Sequence, residues 1–315
     1  MTKLLATLAV CVLALMAVAS VAFARNDKNA VKAGAKWMAK APLSQFPGTG
    51  FQSDAVQALA AAKRAGAPVK NSQRNRFRNA VKADANSYAQ SAGSAAKVIL
   101  AATGGGENPR CFGPSGQRTD FVAVLRDTYK SKSGQYGRTA FDHGLALIAL
   151  RAAHVHIPSK AVKFAKSRRG KFGWGFGLVA KGGDDIESTA IMIQGLRAAG
   201  VSRKNQGLMA AMNWITYQRN TDGGYNPAVS TTPLETQADT TAYAIMAGDA
   251  MGTHKSQMRK AKRALRALQK TNGGFRNSVS SDGAQKGIQT SNAVIALSGR
   301  HFPVVQRRTT PSPCR

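Results

Sequence analysis

Base outnumbers acid threefold in this chain, 45 Lys plus Arg against 15 Asp plus Glu in 315 residues, so the position of each carboxylate carries weight. Asp54, Asp142, Asp184, Asp185, Glu187, Glu235 and Asp239 all stand at or just before the start of an Ala-rich apolar segment. A carboxylate at a helix start accepts hydrogen bonds from free N–H groups and complements the positive end of the dipole, and such capping accounts for any one of them. A ring of them around one opening could do more. Mutual repulsion and burial hold a member of such a ring protonated, and a protonated carboxyl can serve as a general acid. The candidate mouth residues are Asp142, His143, Asp185, Glu187, Asp239 and Tyr243, the last one turn beyond Asp239. A bound metal is not expected: His154 and His156 alternate past a helix end without further ligands. No cofactor motif is present.

The segments that must carry these groups repeat. Asp185 to Gly200 matches Phe141 to His154, Ala238 to Gly252 follows the same plan, and weaker copies run from Ser53 to Gly66, Gly93 to Gly105 and Gln289 to His301. Neighbouring copies are roughly 40 to 50 residues apart, the spacing of stacked helical units. Each begins on a polar residue and continues apolar on nearly all sides, and a helix apolar all round has to be buried all round. These six are the inner helices. Between them lie six outer ones, near Val31 to Lys40, Arg76 to Gln90, Asp120 to Lys130, Ser159 to Arg168, Lys204 to Gln218 and Ser256 to Lys270. In the last, Ala261, Ala264, Leu265 and Leu268 form one apolar stripe and basic residues fill the other face. The expectation is an all-α fold, an (α/α)6 barrel or toroid of six inner and six outer helices without strands. In that arrangement the starts of all inner helices open on one mouth.

The connections Gly50-Phe51, Gly170 to Trp174, Asp222 to Tyr225 and Asn272 to Phe275 combine glycine with an aromatic that can plug the gap between helices. Trp214 to Gln218 leading into Gly223-Gly224-Tyr225, and Leu265 to Gln269 leading into Gly273-Gly274-Phe275, resemble the repeat of squalene and terpene cyclases and protein prenyltransferase β-subunits. The resemblance runs from about Lys32 to Phe302 and implies the toroid. It also implies a comparison with the cyclase acid motif Asp-x-Asp-Asp-Thr-Ala, whose middle Asp protonates an alkene or epoxide. Gln237 to Ala242 retains the middle residue as Asp239 and lacks the flanking pair, while Asp185 to Ala190 keeps the first Asp and has Glu187 in the middle. The prenyltransferase zinc site needs an Asp, a Cys and a His together, and Cys111 lies in a loop.

Cyclases of this resemblance place their cavity between two helical domains, whereas one barrel is similar to the helical domain of extracellular cobalamin carriers. The leading expectation is therefore a non-catalytic, secreted binding or envelope-associated toroid for an apolar or amphipathic ligand of isoprenoid or corrinoid type. The alternative is a divergent terpene cyclase or mutase using Asp239 or Glu187 as acid. A third reading is a plain spacer, its interior filled by Met192, Tyr243, Met246 and Ile295.

Residues 1–24 read as a secretory signal: Lys3, an apolar run from Leu4 to Ala24, and Ala22-Phe23-Ala24 at its end. An uncleaved anchor is the other reading, and either places the bulk outside the cytoplasm, secreted or at the cell surface. The toroid is expected over 25–302 and a basic, proline-containing tail over 303–315. Cys111 and Cys314 make a disulfide the simplest pairing in an oxidising compartment, pinning the tail to the loop between the second and third repeats. A formal charge of +30 favours anionic envelope polymers or a lipid surface as partners. Nucleic acid is not expected, since the basic residues are dispersed and no recognition motif accompanies them.

Overall fold

The computed structural model describes residues 26–178, 183–227, 234–281 and 286–306. The expected signal segment and Cys314 lie outside the described residues. Six helices form an inner ring: α2 (Thr49–Arg64), α4 (Ala92–Gly105), α6 (Ala140–Ala152), α8 (Ile186–Ala198), α10 (Ala238–Met251) and α12 (Lys286–Leu297). Each packs on the next, and α12 returns to α2, so the ring closes. Outside lie α1 (26–40), α3 (Asn71–Tyr88), α5 (Phe121–Asp127), α7 (Ser159–Ser167), α9 (Gln206–Tyr217) and α11 (Lys255–Ala267). The alternation of inner and outer helices is the toroid read from the sequence. One local feature was not expected: β1 (Tyr129–Lys130) and β2 (Gln135–Tyr136) pair antiparallel and end the third outer helix at Asp127.

Small residues let the inner helices approach closely. A Cβ on Gly195 of α8 would stand 2.8 Å from the carbonyl oxygen of Gly144 on α6, so these two backbones touch where any larger residue would hold them apart. The outer helices bury one stripe each, as in α11, where Met258, Ala261, Ala264 and Leu265 face inward and Arg259, Lys260 and Arg263 are exposed.

The glycine-aromatic connections join the layers by a repeated hydrogen bond. Trp174, Tyr225 and Phe275 are buried, and their backbone N–H groups donate to the hydroxyls of Thr189, Thr241 and Thr290, one turn into the following inner helix, at 2.9, 3.0 and 2.9 Å. Gly273 in the last of these turns has φ +96°, and a Cβ there would lie 2.4 Å from the Ala33 carbonyl oxygen. Positive φ and the close approach to α1 both require glycine.

The end of the barrel opposite the inner-helix N-termini is closed by the chain itself. Phe302 and Val304 are buried; the Phe302 N–H donates to Oε1 of Gln194 at 3.1 Å and the Val304 N–H to Oε1 of Gln57 at 2.8 Å. Gln57 in turn donates to the Leu100 carbonyl, and the Gln306 N–H to that of Thr103. Cys111 is disulfide-bonded.

Replacing Gln57 by Leu removes the acceptor of the buried Val304 N–H, and leaving such a donor unsatisfied costs about 1–3 kcal/mol. Urea unfolding of Gln57→Leu is expected to show that loss as a lower midpoint with an unchanged slope.

Candidate active-site mouth

The N-termini of the six inner helices open on one end of the barrel, and the repeat places equivalent residues around it. The residue two before each anchoring position is Phe141 on α6, Glu187 on α8, Asp239 on α10 and Ile288 on α12. All four are partly accessible, so half of this arc is apolar and half acidic.

Asp239 is the best held of the acids. Gln289 and Asn292, one turn apart on α12, donate their side-chain amides to its two oxygens, at 3.1 Å to Oδ2 and 3.0 Å to Oδ1. Burial nevertheless pushes its pKa from 3.8 up to about 7; the charges of Glu187 and Asp54 add to the rise, and the two amides oppose it. Glu187 accepts a 2.6 Å hydrogen bond from the Thr240 hydroxyl, and its pKa is also raised, chiefly by burial. Asp54 is buried and paired with Lys97 at 2.6 Å; desolvation still raises its pKa, the lysine opposing.

The phenol of Tyr243 forms the floor. Burial and three neighbouring carboxylates hold it far above its ordinary range, hence neutral, and its ring meets Phe141 edge-on with centroids 5.3 Å apart. Beneath it Met192, Met246 and Ile295 are fully buried. The inner ring is packed at these residues.

The other sequence candidates are committed locally. Asp142 closes a capping box with Thr139 at the start of α6, accepting from the Arg138 and Thr139 N–H groups. Asp185 is the N-cap of α8, accepting from Ser188 at 2.7 Å, and burial raises its pKa. Asp184 accepts from the Phe172 N–H, and Glu235 reaches across to Ser280. His143, expected at the mouth, is instead wholly buried. It occupies the anchoring position that Thr189, Thr241 and Thr290 hold in other repeats: Nδ1 accepts from the Tyr136 N–H at 3.1 Å and Nε2 donates to the Ala161 carbonyl at 3.1 Å. Burial lowers its pKa to about 4, so it is a neutral structural imidazole with no nitrogen left for a ligand.

Sequence reasoning did not single out Gln289, Asn292, Thr240, Lys97 or Phe141. The signal was present in α12, where the polar run Gln289-Thr290-Ser291-Asn292 is buried at the start of an apolar helix, with Gln289 and Asn292 at a spacing of three. Polar side chains on such a surface need a partner. Among the described residues, no group of three His, Cys, Asp or Glu is placed to hold a metal ion.

Residues 141–288 match the family model of the squalene-hopene cyclase C-terminal domain. No curated protein matches the sequence. Among solved structures, the type II terpene cyclase MstE from Scytonema superposes with a TM-score of 0.61 at 14% identity, over 87% of this chain and 99% of that one. An arginine-to-alanine variant of MstE in complex with its substrate, geranylgeranyl dihydroxybenzoate, gives 0.64 at 13% identity, over 89% and 98%. The ent-copalyl diphosphate synthase from Streptomyces platensis gives 0.50 at 14% identity, over 79% of this chain and 50% of that one. At such identities the likeness is one of fold. The MstE chain is matched over almost its whole length by this one barrel.

Asp239 gives the site a pH signature. The unfolded chain releases this proton near pH 3.8 and the folded chain near pH 7. The folded state holds the extra proton across that window, so the contribution of Asp239 to stability falls as pH rises from about 4 to about 7 and is level above. Asp239→Asn removes that slope. The stability of the wild type relative to this variant is expected to drop by roughly 2–4 kcal/mol between about pH 4 and pH 8, measured by denaturant unfolding of both proteins across the range.

Proposed function

We propose that this α/α toroid, whose residues 141–288 match the family model of the squalene-hopene cyclase C-terminal domain, takes up an isoprenoid-type chain at its acidic mouth and that Asp239 is the general acid that protonates it. What carries this reading is the geometry of Asp239, one turn from Tyr243 and held by the amides of Gln289 and Asn292, where burial pushes its pKa up to about 7. Transfer of its proton to an alkene carbon uses the π electrons for the new C–H bond and leaves a carbocation on the neighbouring carbon. The face of Phe141 stabilises positive charge, and the amides of Gln289 and Asn292 stabilise the carboxylate left behind. The next alkene of the chain attacks the cation to close a ring, the final cation loses a proton to water or adds water and then loses a proton, and that proton returns Asp239 to its acid form. Glu187, one helix away and held by Thr240, keeps the local field negative, which disfavours loss of the proton before a substrate is in place. Activity is expected below about pH 7 and lost above it as Asp239 ionises.

A carrier that binds such a chain without converting it is the second reading. It is favoured by the full burial of Met192, Met246 and Ile295 in the inner ring, which fill the interior where a long tunnel would run. Under either reading the protein works outside the cytoplasm, secreted or at the cell surface; the signal-like first 24 residues and the disulfide at Cys111 support that placement.

Two measurements separate the readings. Incubation with linear isoprenoid alcohols, followed by mass-spectrometric product analysis, is expected to show cyclised product with the wild type and at least about 100-fold less with Asp239→Asn. Native mass spectrometry of both proteins from their own host's culture fluid reads bound ligand directly. A small molecule retained by both, with no product from either, would assign a carrier.

A further inference from the structure

The third outer helix, α5, runs for seven residues and gives way after Asp127 to the β1–β2 hairpin. Helix therefore does not fill the outer wall between α5 and the chain that leaves α6. A cavity of about 710 Å³ lies there, lined by Arg126, Asp127, Tyr129, Tyr136, His154 and His156 among others. His154 and His156 follow the C-terminal end of α6, so the cavity belongs to the side wall, away from the inner-helix N-termini that surround Asp239. Its volume is in the range that holds a small ligand.

The lining contains a polar group that the protein leaves unused. Tyr136 is 1% exposed, and among the described residues its hydroxyl has no hydrogen-bond partner. A buried phenol ordinarily finds one. Burial pushes its pKa up to about 12, with Tyr129 adding to the rise and the nearby Arg126 guanidinium opposing it. The phenol thus keeps its proton and is a donor. Tyr129 is its cross-strand partner, with ring centroids 4.8 Å apart, and the strand is fixed to the inner ring by the Tyr136 N–H donating to Nδ1 of His143. Arg126 is exposed and forms no ion pair among the described residues, whereas Arg110, at the edge of the same cavity, is paired with Asp120 at 3.1 Å.

His154 marks the cavity a second time. The turns that end the other five inner helices place Gly66, Gly106, Gly200, Gly252 and Gly299 at positive φ, the usual residue for that conformation. The third repeat puts a histidine there, at φ +56°, where a side chain is strained. That strain brings an imidazole to the cavity where a glycine would bring none.

A donor phenol, a guanidinium and two imidazoles call for an acidic group, while the exposed Asp127 carboxylate among them calls for donors. A bare anion meets the first demand and is repelled by Asp127. A sugar that carries an acidic group meets both: its hydroxyls donate to Asp127, and its C–H face can cover the half-buried Tyr129 ring. We propose that this side-wall cavity binds a pyranose bearing a phosphate or carboxylate, the repeating unit of an acidic polysaccharide, with Arg126, Tyr136 and His154 on the acidic group and Asp127 on the hydroxyls. The formal charge of +30 draws such a polymer to the molecule, and the cavity selects the unit that is held. This site is independent of the chemistry assigned to Asp239.

Isothermal titration calorimetry of the full chain as its own host processes it tests the site with four probes: glucose 6-phosphate, glucuronate, glucose and inorganic phosphate. One of the two acidic sugars is expected to bind at least about tenfold more tightly than glucose and than inorganic phosphate, and which one it is identifies the acidic group. Tyr136→Phe, which removes one oxygen and keeps the ring packing, and Arg126→Gln are each expected to weaken that binding about tenfold or more. His154→Gly, which installs the residue of the other repeats, is expected to weaken it at least about threefold at an unchanged urea midpoint. Arg259→Gln removes an exposed cation from α11, three outer helices away around the ring, and is expected to stay within about twofold of wild type. The proposal is overturned if the wild type binds neither acidic sugar, if glucose or inorganic phosphate binds as tightly, or if any of the three site variants keeps full affinity. A loss in Arg259→Gln equal to that in Arg126→Gln would also overturn it, by assigning the attraction to overall charge.

Discussion

Six helices that are apolar on every side cannot meet water on any side, and the rest of the structure follows from that constraint. A closed ring, sheathed by six helices with one apolar stripe each, buries them all. Closure requires close neighbours, hence the run of alanines and the backbone contact between Gly144 and Gly195. It also aligns the inner helices, so that six sets of unsatisfied N–H groups and six positive dipole ends arrive at one opening. Scarce carboxylates concentrate there because that is the one region of a cationic molecule whose backbone calls for negative charge.

The same crowding divides the carboxylates by task. Asp142 and Asp185 turn back on their own helix starts and satisfy backbone donors. Asp239 has no such duty: α10 starts at Ala238 without a side-chain cap, and Asp239 is held by amides from the neighbouring helix instead. Burial and the negative neighbours Glu187 and Asp54 then outweigh those two hydrogen bonds and keep its proton on near neutrality. A buried carboxyl that remains protonated is a strained element in a folded protein, and it persists here because the packing of α10 against α12 over-determines its position.

The two ends of the barrel are treated differently. At one, residues 302–306 enter the toroid and hydrogen-bond to glutamines of the inner ring, closing it. At the other, the inner-helix N-termini gather Asp54, Asp142, Asp185, Glu187 and Asp239.

The repeat, the distinction of inner from outer helices and the common mouth were legible in the sequence, because each depends on local periodicity: all-round apolar segments, one-stripe segments, and glycine-aromatic turns at regular intervals. Asp239 and Glu187 were legible as mouth residues from their place at inner-helix starts, and as candidate acids only through the resemblance to the cyclase acid motif. The hairpin after α5 was not, being two residues in each strand and too short for an alternating pattern. His143 shows the limit most clearly: beside Asp142 it reads either as a mouth residue or as a packed or capping histidine, and in the structure its ring replaces a threonine in a hydrogen bond between layers. Only the tertiary structure decided that exchange, and only it brought Gln289 and Asn292 to Asp239 across fifty residues and more of chain. Contacts between helices depend on which faces meet once the ring has closed, and no local pattern in the sequence specifies that geometry.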